Sequence, residues 1–63
     1  SSVTDKLTPM EYSIAMLASK GWTNQEIAKQ LSLSPNTIKH YLSRIFHLLD
    51  IEKREELKPF VNK

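Results

Sequence analysis

The apolar residues of this 63-residue chain recur at the three-to-four-residue spacing of helices rather than alternating as in strands. Met10, Ile14, Leu17 and Ala18 mark a first stretch, and Ile27, Ala28 and Leu31 a short second one. Ile38, Tyr41, Leu42, Ile45, Phe46, Leu48 and Leu49 mark a longer third. No β-branched alternating run interrupts them, so the predicted class is all-α.

The punctuation between these stretches agrees with that reading. Thr8-Pro9-Met10-Glu11 combines a capping hydroxyl, a proline suited to the first helical position and a glutamate that closes a capping box. Gly21 ends the first helix, because glycine enters the left-handed conformation without a steric penalty. Thr23-Asn24-Gln25-Glu26 is a second capping box, and Ser34-Pro35 repeats the cap-plus-proline signal. The second and third helices are therefore separated by a turn of about three residues, the spacing of a helix-turn-helix. It is placed over about 23–43, with a recognition helix over about 35–49. Ala28 is small enough for the two helices to cross closely, with Ile38 packing back against it. Trp22 is expected to cover the corner between the first two helices, and Tyr41 to pack with its hydroxyl at the rim.

Placed at about 100° per residue, the third helix splits into two faces. Its apolar residues take one broad side, and Asn36, Lys39, His40, Ser43, Arg44 and His47 take the other. Charge sharpens the picture. Residues 1–31 carry three lysines against three acids, and residues 50–63 carry four basic residues against four acids. The net charge of +2 thus falls on Lys39 and Arg44, within a stretch that holds no acid. Such a face suits a polyanion, and the major groove in particular, where base edges present a sequence-dependent pattern of acceptors and donors. Lys39, His40 and Ser43 are the expected base-reading residues. Arg44 and His47, farther along, are expected at phosphates. Amides near Thr37, and near Thr23 and Asn24 at the start of the second helix, are expected to favour phosphate as helix N-termini do.

Composition excludes several other classes. There is no cysteine, hence no disulfide framework or thiolate metal cluster, which fits a reducing cytoplasm. No apolar run reaches the roughly 20 residues of a membrane span. His40 and His47 have no third ligand nearby, acids occur in caps or mixed-charge segments, and no nucleophile–base set or glycine-rich phosphate loop is present. No catalytic residue, cofactor or metal is expected. A start at Ser1-Ser2-Val3, without methionine, suggests a piece of a longer chain or a leftover linker.

The run from Leu7-Thr8-Pro9 and Glu11, through Gly21, Thr23-Asn24-Gln25-Glu26-Ile27-Ala28, Leu31 and Ser34, to Thr37-Ile38-Lys39, Ile45, Leu49 and Arg54-Glu55-Glu56-Leu57 resembles the LuxR/NarL (GerE-type) DNA-binding domain. The resemblance covers about residues 7–58. It implies a compact four-helix bundle, a tri-helical core plus a short fourth helix, at the C-terminus of a bacterial transcription regulator. Upstream it implies a phosphoacceptor receiver or a small-molecule sensor. By motif position, Lys39, His40 and Ser43 match base-reading sites, and Thr23, Asn24 and Thr37 match backbone-contacting sites. Asn36 joins the backbone set. The implied partners are double-stranded DNA, a second copy through helix 4, and RNA polymerase.

The chain departs from the family pattern at Met10, Tyr41, Leu48, Asp50 and Pro59. Leu48 removes a possible phosphate contact. Asp50 tolerates a left-handed cap, although its charge opposes the helix dipole. Pro59 is expected to end or kink helix 4 near Lys58 and so shorten the dimer element. The expected domain runs over 7–61, with 1–6 as a linker and 62–63 as a tail. A σ-factor region 4 domain shares the fold and much of the pattern and is the nearest alternative; the Arg54-Glu55-Glu56-Leu57 segment favours the LuxR-type reading. A helical protein-interaction module is a further alternative, and it predicts little effect of salt on partner binding.

Overall fold

A computed structural model describes residues 6–61; the expected linker up to residue 5 and the tail at 62–63 lie outside the described residues. Within them the chain forms α1 (Pro9–Ser19), α2 (Asn24–Leu31), α3 (Pro35–Leu49), a 3-10 turn (Arg54–Leu57) and α4 (Lys58–Val61), with no strand. The all-α, four-helix expectation holds, and α3 has the bounds the sequence indicated.

Each long helix starts on the cap its sequence prescribes. Thr8 Oγ1 accepts from the Glu11 amide while the Glu11 carboxylate accepts from the Thr8 amide, and Thr23 and Glu26 repeat this reciprocal pair. Ser34 Oγ accepts from the Thr37 amide at 3.1 Å. The three helices also end alike. The amide of Trp22 donates to Leu17 O, that of Leu33 to Ala28 O, and that of Ile51 to Phe46 O, each closing the long hydrogen bond of a Schellman motif. The residue before each is left-handed: Gly21 at φ 92, Ser32 at φ 60 and Asp50 at φ 56. Gly21 and Asp50 were expected in this role, whereas Ser32 was not. In every case the residue that follows (Trp22, Leu33, Ile51) is apolar and packs on the core. Each sharp corner is thereby fastened by burial as well as by hydrogen bonds.

The core gathers Ile14, Ala15 and Ala18 of α1, Ile27 and Ala28 of α2, Ile38, Leu42, Ile45 and Leu49 of α3, then Leu57 and Val61. The expected apolar side of α3 divides into these four buried residues and a half-buried flank of Tyr41, Phe46 and Leu48. In α1 the buried stripe is rotated from the expected one. Met10 is 39% exposed, and the inward positions are Glu11, Ile14, Ala15, Ala18 and Ser19. Two of these are polar, which hides the stripe from a count of apolar residues. Ser19 is satisfied by donating from Oγ to Met16 O at 2.6 Å.

Pro59 does not end the last helix. It occupies the second position of α4, which follows the 3-10 turn directly. Pro59 supplies no amide to the turn before it, whose last backbone bond runs from the Lys58 amide to Glu55 O. The change from 3-10 to α geometry falls at Lys58, and helical structure continues to Val61. At the start of this segment, Glu56 Oε1 accepts from the amides of Glu52 and Lys53.

Candidate nucleic-acid interface

The site is built on the outer face of α3. Burial of Ile38, Leu42, Ile45 and Leu49 fixes the rotation of the helix and leaves Asn36, Lys39, His40, Ser43, Arg44 and His47 exposed. The four positions 40, 43, 44 and 47 follow the three-to-four-residue spacing that lines one strip of a helix. All the base-reading candidates (Lys39, His40 and Ser43) are therefore available to a groove. Among the described residues, Lys39 has no carboxylate partner.

Arg44 is different. Its Nε donates to Glu11 Oε2 at 2.8 Å, across 33 residues, so a stretch free of acid in sequence is not free of acid in space. The side chain of Glu11 is only 4% exposed and that of Arg44 66%. Hydrogen bonding from the Thr8 amide, opposed by burial and reinforced by Arg44, holds the Glu11 carboxyl below its ordinary pKa. Both carboxylate oxygens are engaged, Oε1 by Thr8 and Oε2 by Arg44. Sequence reasoning assigned Glu11 a cap alone. Its position in the first turn of α1, three residues before Ile14 and on the stripe shared with Ala15 and Ala18, is the signal that it also faces inward.

The helix starts offer fewer amides than expected. At α3 Pro35 has none, and the Thr37 amide is taken by Ser34, whose hydroxyl also lies 2.8 Å from that of Thr37. The anchoring expectation there narrows to the Asn36 amide, for which no partner is found among the described residues. At α2 the Thr23 amide is held by Glu26, and the first-turn amides of Asn24 and Gln25 remain. The Asn24 side chain is set by Arg54, which lies thirty residues away in a charge-balanced segment. Arg54 donates from Nη2 to Asn24 Oδ1 and from Nη1 to Trp22 O, the latter at 3.2 Å. With Oδ1 committed, the outward capacity of Asn24 is its Nδ2 donor, which suits an anion.

Three helices fastened by short corners, with α2 and α3 joined through Ser32–Ser34 and a polar, cation-bearing outer face on α3, define a helix-turn-helix domain. Comparison with known proteins gives the family: residues 5–60 match the one described as bacterial regulatory proteins, luxR family, and the chain belongs to it. This settles the choice against a σ-type domain. Similar proteins include the two-component response regulator PprB of Pseudomonas aeruginosa, 40% identical over 52 residues, and the transcriptional regulatory protein ComA of Bacillus subtilis, 46% identical over 52 residues. The DNA-binding transcriptional activator DevR/DosR of Mycobacterium tuberculosis is 37% identical over 54 residues. These alignments cover 82%, 82% and 86% of this chain but only 19%, 24% and 25% of the relatives. The chain thus spans about a quarter or less of their length. No solved structure matches significantly. No helix among the described residues is long and apolar enough to cross a membrane.

Proposed function

We propose that this domain binds double-stranded DNA sequence-specifically as the output part of a bacterial transcriptional regulator, with α3 in the major groove. The observation that carries the reading is the division of α3. One side is locked into the core, and the other presents Lys39, His40, Ser43 and His47 to solvent without a carboxylate among them. Lys39, His40 and Ser43 read base edges. Asn24, Asn36, Arg44 and His47 meet the sugar–phosphate backbone, and Thr23 and Thr37, whose amides are engaged within the domain, do so through their hydroxyls. In this reading the domain works in the cytoplasm, uses no cofactor or metal and catalyses no reaction.

The name of PprB supports placing a regulatory domain, of the response-regulator kind, elsewhere in the whole protein. RNA polymerase is a further proposed partner. Pairing of two copies through helix 4 remains compatible with Pro59 in its first turn. Leu57 and Val61 already face the domain's own core, so the pairing surface is drawn from residues such as Glu55, Lys58 and Pro59.

The test is selection of bound sequences from a random duplex pool, followed by a salt titration on the winners. Enrichment of a defined site, with affinity falling steeply as salt rises, is the expected result. A single enriched half-site reports a monomer, and a spaced repeat reports a pair. Failure to enrich any sequence, together with salt-insensitive retention, would favour a protein-interaction module.

A further inference from the structure

Glu11 lies on α1, outside the recognition helix, and its role as a cap gives it nothing to do with DNA. Its buried carboxylate nevertheless stands directly behind the exposed guanidinium of Arg44. Since Nε is committed inward, the Nη1 and Nη2 groups are the donors that Arg44 has left for an incoming anion. A negative charge behind a positive one makes a short dipole, whose field decays faster with distance than that of a lone cation. A phosphate touching the Nη edge still gains a charge-assisted hydrogen bond. A phosphate kept away by a layer of water meets two nearly cancelling charges.

We propose that Glu11 is a specificity-determining residue, which cancels Arg44 at long range and leaves it effective only toward a phosphate docked against the guanidinium edge. The inference rests on the reading that α3 faces duplex DNA. Unspecific binding depends on sequence-independent charge attraction, so a masked arginine contributes little to it. In the docked register the same arginine contributes fully, and it is already oriented. Glu11 therefore widens the gap between the correct site and random DNA without touching either.

The experiment compares the domain with its Glu11→Gln variant on a selected duplex and on a random duplex, each titrated with salt. Glutamine removes the masking charge but has one acceptor oxygen where the carboxylate used two, so it serves either Arg44 Nε or the Thr8 amide. The expected result is a salt slope on random DNA steeper by up to about one unit, tighter random binding by about fivefold at 0.1 M salt, and a smaller ratio of selected to random affinity. Unchanged slope and ratio would overturn the proposal. A Glu11→Gln/Arg44→Gln double variant carries the same cap change but leaves the summed charge of the pair unchanged, and so separates the charge effect from loss of the cap. It should keep the wild-type slope on random DNA while losing affinity for the selected site; a slope shallower by about one unit would show that Arg44 acts as an unmasked cation. If the unaltered domain shows no salt-dependent duplex binding, the DNA reading itself fails. If it binds and the variants keep its slope and ratio, only the role of Glu11 fails.

Discussion

Arg54 holds Asn24 from thirty residues away, donating to its Oδ1 with one guanidinium nitrogen and to the carbonyl of Trp22 with the other. The segment leading into α4 is thereby tied to the first turn of α2, one of the two helix starts proposed to meet the DNA backbone. Arg54→Ala leaves both acceptors without that donor in a half-buried corner and should cost about 1–3 kcal/mol of stability by urea unfolding. Arg54→Lys should recover little, because a single ammonium does not reproduce the two-pronged donor geometry. A lysine variant as stable as the wild type would show that charge alone matters here.

The left-handed caps give a prediction of opposite sign. Ser32 and Asp50 carry side chains at φ 60 and φ 56, a conformation that opposes Cβ to the following carbonyl. Ser32→Gly and Asp50→Gly should each stabilise the domain by about 1 kcal/mol, and the second also removes an acid from a helix C-terminus. In a domain of this size such a gain raises Tm by about 4–8 °C. At Gly21 no atom lies within 4 Å of where a Cβ would stand, so the penalty of Gly21→Ala comes from its φ of +92 alone. It should cost about 1–2 kcal/mol. A neutral Gly21→Ala would refute the left-handed assignment.

Stability should respond to acid through Glu11. Its folded pKa is lowered, chiefly by the Thr8 amide against the opposing effect of burial, with Arg44 adding to the lowering. A lowered carboxylate contributes stability that is present above its unfolded pKa and is lost as pH falls through the folded value. Unfolding free energy measured from neutral pH downward should thus fall across the acidic limb. Glu11→Gln should start lower at neutral pH and lose less on acidification. Parallel curves for the two proteins would place the acid sensitivity at another carboxylate.

Lys39 should read a base. Lys39→Ala is expected to weaken binding to a selected site by about 1–3 kcal/mol while changing affinity for random duplex little, and to relax preference at one position. Equal losses on both DNAs would move Lys39 to the phosphate backbone.

Most of the fold was legible because its boundaries are written in local chemistry. Thr8 with Glu11, Thr23 with Glu26, Ser34 with Pro35, and Gly21 each act within a few residues of themselves, so sequence order reveals them. What escaped depends on distant partners. Glu11 looked complete as a cap, and the link to Arg44 needs α1 and α3 to be packed first. Arg54 sat in a charge-balanced segment, with nothing nearby to show that its targets are Trp22 and Asn24. Met10 was assigned inward because hydrophobicity alone fixed the phase of α1, whereas Glu11 and Ser19 take inward positions through satisfied polar groups. Pro59 was legible in place: the helical geometry changes at Lys58, where a break or kink was expected, although the helix then continues to Val61.

The corner between α2 and α3 is three residues long, and its Leu33 amide is tied back to Ala28 O at 2.8 Å. With Ala28 and Ile38 both in the core, the two helices share one foundation and have no hinge between them. The angle at which α3 is offered is therefore built in during folding and is not an adjustable quantity. The regulatory domain proposed above would therefore have to act on this one as a whole block, by uncovering it, covering it or setting its distance from a neighbour.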